Sequence, residues 1–161
     1  MQHRQKKRTV AKMMRTHPVT IPGSATLPDA YWLMMENKIR RLLVVDDGEL
    51  VGVVTIQDLR GAVRPEIIAI NPLKVSTIFS ELPVRQLMTK EPITITPEAN
   101  VMEAAQTMLD HKISTLPVVD GRAVVGLVTE SDLFRVLVDL CQAQGAPSQA
   151  RQVRRSPRAG A

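Results

Sequence analysis

The sequence predicts a mixed α/β (α+β) fold of two pseudo-symmetric βαββα repeats packed as one module. Two observations predict it. First, Val10 to Arg60 aligns without a gap onto Val84 to Phe134, at an offset of about 74, with identity at about 20 of roughly 51 paired positions. Second, each copy carries the same succession of a short β run, a helix signal, two β runs joined by turn residues and a helix start. A unit this small cannot bury its apolar face alone, so the copies are expected to pack together and leave clefts between them.

The elements follow in order. A helical lead, Val10 to Arg15 or Val84 to Met88, stops short of Pro18 or Pro92, since proline disfavours helix in the residue before it. A short strand is expected at Val19 to Ile21 and at Ile93 to Ile95. Thr26 precedes Asp29 by three and Asn100 precedes Glu103 by three, which puts an acceptor at the N-cap of a helix and an acid at its third position. Val101, Ala104, Ala105 and Met108 then form a stripe at helical spacing. Strands are expected at Leu42 to Val45 and Leu50 to Val54, and again at Leu116 to Val119 and Val124 to Val128. Asp46-Asp47-Gly48 and Asp120-Gly121 supply the hairpin turns. Closing helices start at Thr55 and Thr129, the second running to about Gln142. The resulting division is a basic tail (1–8), a first repeat (9–63), a proline-bearing connection with one short helix (64–83), a second repeat (84–142) and a basic tail (143–161) too poor in apolar residues to order.

Composition narrows the function. No apolar run approaches the roughly 20 residues of a membrane span. The basic start has no apolar stretch behind it, so a secretory signal is not expected. The single cysteine, Cys141, permits no internal disulfide and suits a reducing cytoplasm. His3, His17 and His111 have no metal-ligand spacing. The net charge of +5 belongs to the ends: Arg4, Lys6, Lys7, Arg8, Arg151, Arg154, Arg155 and Arg158 carry it, and the body without them is about −3. With 2% aromatic residues there is no stacking platform for single strands, so nucleic acid is not expected as a partner, although the tails leave that alternative open.

The most telling repeat is Gly52-Val-Val-Thr-Ile-Gln-Asp58, which returns as Gly126-Leu-Val-Thr-Glu-Ser-Asp132. Each threonine falls where a strand gives way to a helix, where free N–H groups and the helix dipole attract anions. Its hydroxyl can donate to a phosphate, and the aspartate one turn later can accept from a ribose diol. The same Thr-x-x-Asp pattern is also a capping box, and on the residues alone both readings stand.

The prolines ahead of Thr-Ile, the Leu116-Pro-Val-Val-Asp120 run and the two Gly-led Thr-x-x-Asp segments resemble a tandem pair of cystathionine-β-synthase (CBS) domains, a Bateman module, over residues 9–142. Spacing and the Met88-Thr-Lys-Glu-Pro92 opening of the second repeat are similar to small stand-alone bacterial proteins of the acetoin-utilisation type. The resemblance implies a regulatory, non-catalytic module that binds an adenosine ligand (AMP, ADP, ATP or S-adenosylmethionine), with no required cofactor. One cleft would use Leu127, Thr129 and Asp132 with Met14, His17, Val19, Ile39 and Arg40. The other would use Val53, Thr55 and Asp58 with Met88, Glu91, Ile93, Ile113 and Ser114. Backbone around Val19 and Ile93 would read the adenine edge. Arg40-Arg41 faces Ser114-Thr115 in the alignment, and Glu91 would repel phosphate, so the Asp132 cleft is expected to bind more tightly. The resemblance also implies a homodimer through the final helix, where Leu133, Val136, Leu137 and Leu140 form one apolar stripe and Phe134, Val138 and Cys141 another, together with the helix bearing Tyr31 and Trp32. It does not name the regulated partner. No phosphate loop, dinucleotide fingerprint or nucleophile–base set is present. A structural module with vestigial clefts remains the rival reading.

Overall fold

A computed structural model describes residues 8–62 and 80–143. Both basic tails, except Arg8 and Ala143, and most of the connection between the repeats lie outside the described residues. The first repeat comprises a 3-10 turn (Val10–Lys12), β1 (Arg15–Thr16), β2 (Thr20–Ile21), α1 (Leu27–Glu36), β3 (Arg41–Asp46), β4 (Glu49–Thr55) and α2 (Ile56–Ala62). The second comprises a 3-10 turn (Val84–Gln86), β5 (Thr89–Lys90), α3 (Val101–His111), β6 (Thr115–Asp120), β7 (Ala123–Thr129) and α4 (Glu130–Ala143).

Local chemistry accounts for the helix starts. Thr26 and Asp29 form a reciprocal capping box at α1, the Thr26 amide donating to Asp29 Oδ2 at 2.9 Å. At α3 the Asn100 side chain accepts from the Glu103 amide at 2.9 Å. Both satisfy N–H groups that a helix leaves without internal partners. The expected helical leads are shorter than the sequence suggests, each a single 3-10 turn followed by a two-residue strand. The expected strand at Ile93 to Ile95 shrinks to one parallel bridge, Ile95 to Val118. The cause is Pro117. In the first repeat Thr20 pairs with Leu43, but the matching position in the second is a proline with no N–H to donate.

The repeats exchange their leads. β1 pairs antiparallel with β7 of the sister repeat (Arg15 with Leu127, Thr16 with Gly126), and β5 pairs antiparallel with β4 (Thr89 with Val53, Lys90 with Gly52). Val10 is fully buried in the second core with Ala104, Met108, Leu116 and Val128. Val84 is fully buried in the first core with Ala30, Met34, Leu42 and Val54. β4 meets β7 at Glu49 and Ala123, which occupy the same place in the two repeats, so the pseudo-twofold axis passes between them. Arg122 Nη1 donates to Glu49 Oε1 beside it at 2.7 Å. Both hairpins carry an irregularity at matching positions, Val44/Val45 and Val118/Val119. The interlock therefore places the end of each closing strand against the lead of the other repeat, which is where the site forms.

Candidate functional site

A cavity of about 410 Å³ opens at that junction. Its floor comes from Arg15 and Thr16 of β1, then His17, Pro18 and Val19. One wall is the α1–β3 link, Lys38, Ile39 and Arg40, with Arg41 and Leu43 of β3. The other is Leu127 and Thr129 of β7, Glu130 and Ser131 of α4, and Ser114. His17 and Lys38 both adopt left-handed backbone (φ 55 and 54), as do their counterparts Glu91 and Lys112 (φ 48 and 53). For residues with a Cβ this is a costly conformation, held here in both repeats.

The Thr-x-x-Asp segments form capping boxes. Thr129 donates its amide and its hydroxyl to Asp132 Oδ2, at 2.9 and 2.7 Å. Thr55 makes the same two bonds to Asp58 Oδ2, both 2.7 Å. The threonine hydroxyls thus donate to the aspartates in this structure rather than standing free for a phosphate. Asp132 is buried and its Oδ1 accepts from Arg135 Nη1 at 3.0 Å, with Arg15 Nε at 3.6 Å.

Arg41 crosses the repeat boundary, its Nη1 donating to Ser114 Oγ at 2.9 Å. Burial pushes its guanidinium below the ordinary value and neighbouring Arg40 adds to that, while Glu130 pulls it back. Four cationic side chains, Arg15, Lys38, Arg40 and Arg41, line the cavity against one carboxylate, Glu130. An anion is the complementary occupant.

Of the first expected set, His17, Val19, Ile39, Arg40, Leu127 and Thr129 line this cavity. Asp132 stands just behind Thr129. Met14 lies further back, against the second core and over Gly126, where an added Cβ would come within 2.6 Å of its sulfur. The second expected set lies on β4, the start of α2, the lead around β5 and the α3–β6 link. Ser114 lines the Asp132-side cavity, bonded to Arg41. Ile113 packs on the second core and Ile93 is about one-third exposed, at 36%. Val53 sits on β4 opposite Thr89, with Thr55 and Asp58 beyond it and Glu91 just past β5. Met88 borders a different hollow of about 470 Å³ with Asp46, Val51, Arg85, Gln86 and Lys90.

Sequence reasoning missed Arg15, Thr16, Lys38 and Glu130 as lining residues. A signal for Glu130 existed: it is one of the two variable residues inside Thr-x-x-Asp, on the exposed first turn. Arg15 had none, because its neighbour Asp132 lies in the other repeat. Among the described residues no cluster of three His, Cys, Asp or Glu could hold a metal, and no helix is long and apolar enough to cross a membrane.

Comparison with known proteins agrees with this architecture. The family model of the CBS domain matches twice, over residues 10–65 and 84–139. The chain is 34% identical over 139 residues to protein MJ1404 of Methanocaldococcus jannaschii, covering 81% of this chain but 32% of that relative, so it spans about a third of the relative's length. Among solved structures, one described as an acetoin utilization protein (AcuB) from Vibrio cholerae superposes with a TM-score of 0.69 at 32% identity, covering 86% of this chain and 98% of that one. CBSX2, a CBS-pair protein of Arabidopsis thaliana, was solved in complex with AMP (TM-score 0.69, 29% identity, 83% and 98% covered). The CBS-domain pair of protein MJ0100 was solved with 5′-methylthioadenosine and S-adenosyl-L-methionine (TM-score 0.69, 27% identity, 82% and 97% covered).

Proposed function

The chain belongs to the CBS-domain family, and from that premise we propose that it is a non-catalytic sensor that binds an adenine nucleotide between its two repeats and passes the change to a partner protein. The observation that carries this reading is the cavity itself: apolar Val19, Ile39, Leu43 and Leu127 on its walls, with Arg15, Lys38, Arg40 and Arg41 around them. Apolar walls suit a purine, and arginine forks suit phosphate. Ile39 and Leu127 sandwich the base in this reading, Arg40 and Arg41 hold phosphate, and Asp132 holds the ribose. AMP bound to CBSX2 and S-adenosylmethionine bound to MJ0100 support an adenosine ligand in a related pair.

Signalling requires a ligand to favour one of two states. The interlocked leads supply a route, because β1 joins the cavity floor to the sister repeat's closing strand.

The decisive experiment is a thermal-shift panel of AMP, ADP, ATP, S-adenosylmethionine and adenosine on ligand-stripped full-length protein. A ligand at about 100 times its Kd adds roughly 2.7 kcal/mol to stability. Stabilisation by a phosphorylated adenosine ligand supports the reading. No shift at millimolar concentration leaves the structural-module reading standing.

A second reading concerns assembly, and exposed apolar side chains favour it. Trp32 is 72% exposed on α1, and Phe134, Leu137, Val138 and Leu140 are exposed on α4. Leu133 of the first stripe packs against the second core, but these other members of the two α4 stripes do not. We propose that these faces meet in a homodimer.

A further inference from the structure

Asp58 and Asp132 occupy the same place in the two repeats, yet their second carboxylate oxygens differ. In each, Oδ2 is occupied by the threonine cap. At Asp132, Oδ1 accepts from Arg135 at 3.0 Å and has the Arg15 guanidinium paired with it at 3.6 Å. Thr89 and Gly61 stand at the positions that match Arg15 and Arg135, so Asp58 has no such pair there, and among the described residues its Oδ1 has no partner. Duplication explains the shared caps, and it does not explain two arginines on one side only.

The arginines are unlike each other. Arg135 is the next turn of the same helix and stays beside Asp132 whatever the cavity holds. Arg15 comes from β1 of the other repeat, is 54% exposed, makes the longer contact and lines the cavity with Lys38, Arg40 and Arg41. At 3.6 Å its contact is an ion pair longer than a hydrogen bond, so of the two arginines it is the one more easily drawn away. Asp132 is 4% exposed, so its charge must stay compensated, which Arg135 can do alone.

We infer that Arg15 is a specificity-determining residue: it latches Asp132 until a phosphate chain draws the guanidinium away, so this cleft selects adenosine di- or triphosphate over neutral adenosine and over S-adenosylmethionine. The inference rests on the nucleotide-sensor reading above. Oδ2 already accepts two bonds and Oδ1 one from Arg135, so with Arg15 in place a ribose diol meets a guanidinium standing over the remaining acceptor site of Oδ1. A polyphosphate offers Arg15 a stronger, forked partner. Once it moves, Oδ1 accepts a ribose hydroxyl while Arg135 keeps the carboxylate compensated. Neutral adenosine has nothing with which to displace Arg15. S-adenosylmethionine has one carboxylate to offer an arginine, but its sulfonium and ammonium leave it net positive among four cations, where a polyphosphate is strongly negative.

Calorimetry on the full chain tests this, with ATP, ADP, adenosine and S-adenosylmethionine titrated into wild type, Arg15→Gln and Arg135→Gln. The ATP site is assigned beforehand as the binding event that Asp132→Asn weakens. Wild type should bind ATP there at least about tenfold more tightly than adenosine. Arg15→Gln should weaken ATP and tighten adenosine, reducing their ratio about tenfold, whereas Arg135→Gln should leave the ratio near its wild-type value. Arg15 is largely exposed, so its variant should melt close to wild type. An unchanged ratio in Arg15→Gln, or an equal fall in both variants, overturns the latch while the sensor reading survives. Binding of no adenosine ligand by wild type removes the sensor reading and the latch together.

Discussion

Arg41 Nη1 donates to Ser114 Oγ across the repeat boundary at 2.9 Å, while the neighbouring Thr115 hydroxyl is buried with no hydrogen-bond partner among the described residues. Arg40-Arg41 and Ser114-Thr115 are matching pairs of the two repeats, so the pseudo-symmetry breaks at the wall of the cavity. A lone buried hydroxyl costs stability that an isosteric methyl does not. Thr115→Val should therefore stabilise the protein by about 1 kcal/mol, read as a raised midpoint in urea unfolding. A loss of that size would show that the hydroxyl has a partner after all.

Exchange of the leads gives a prediction that neither repeat suggests by itself. Val10 is fully buried in the second core and Val84 in the first. Burial of one such side chain contributes about 1.5 to 3 kcal/mol. Val10→Ala, near the start of the chain, should cost about 2 kcal/mol, as should Val84→Ala. Chemical denaturation measures both. A cost below about 0.5 kcal/mol for Val10→Ala, ordinary for a surface position, would mean that the first lead frays in solution and does not lock the repeats.

The α1 cap is pH-dependent in a direction that can be worked out. The Thr26 hydroxyl, then its amide, hold the Asp29 carboxyl below its ordinary 3.8. The folded state thus binds fewer protons than the unfolded chain through that interval. Stability from this pair is complete above 3.8 and is lost as pH falls through the lower folded value. Thr26→Ala should cost about 1 kcal/mol at neutral pH, and its gap from wild type should narrow below pH 3.8. A gap that is constant with pH would show that the carboxylate does not carry the cap.

Duplication made the fold readable. Each strand and helix was proposed twice, and hairpin turns such as Asp46-Asp47-Gly48 marked the register. What could not be read was how the copies interlock. Arg15 pairs with Leu127, and Val84 joins the first core, through contacts that no local pattern encodes. Half of the site followed the same rule. Thr129 and Arg40 could be placed from motif and alignment. The Arg15–Asp132 contact joins residues from different repeats and was invisible in either motif. Ser114 shows the same effect: Arg41 reaches it across the repeat boundary, so it lines the Asp132-side cavity, which the alignment does not suggest.

Assembly is the last expectation, and it can be tested without knowing the ligand. Trp32, Tyr31 and Met35 lie exposed on α1; Phe134, Leu137, Val138 and Leu140 lie exposed on α4. A pair of helices with so much uncovered apolar surface gains by burying it, at about 25 cal/mol per Å². The chain has a mass of 17.8 kDa, so a dimer sediments at twice that value. Leu137→Asp should shift the population toward monomer without unfolding it, because Leu137 is exposed and packs in neither core. A like charge on both copies would face itself across a twofold interface, which costs affinity twice over. Cys141 on the same helix is exposed and offers a second readout, since mild oxidation would cross-link copies only if their α4 helices lie side by side. Sedimentation of wild type at 17.8 kDa, independent of concentration, would refute the dimer and leave the exposed face for a different protein.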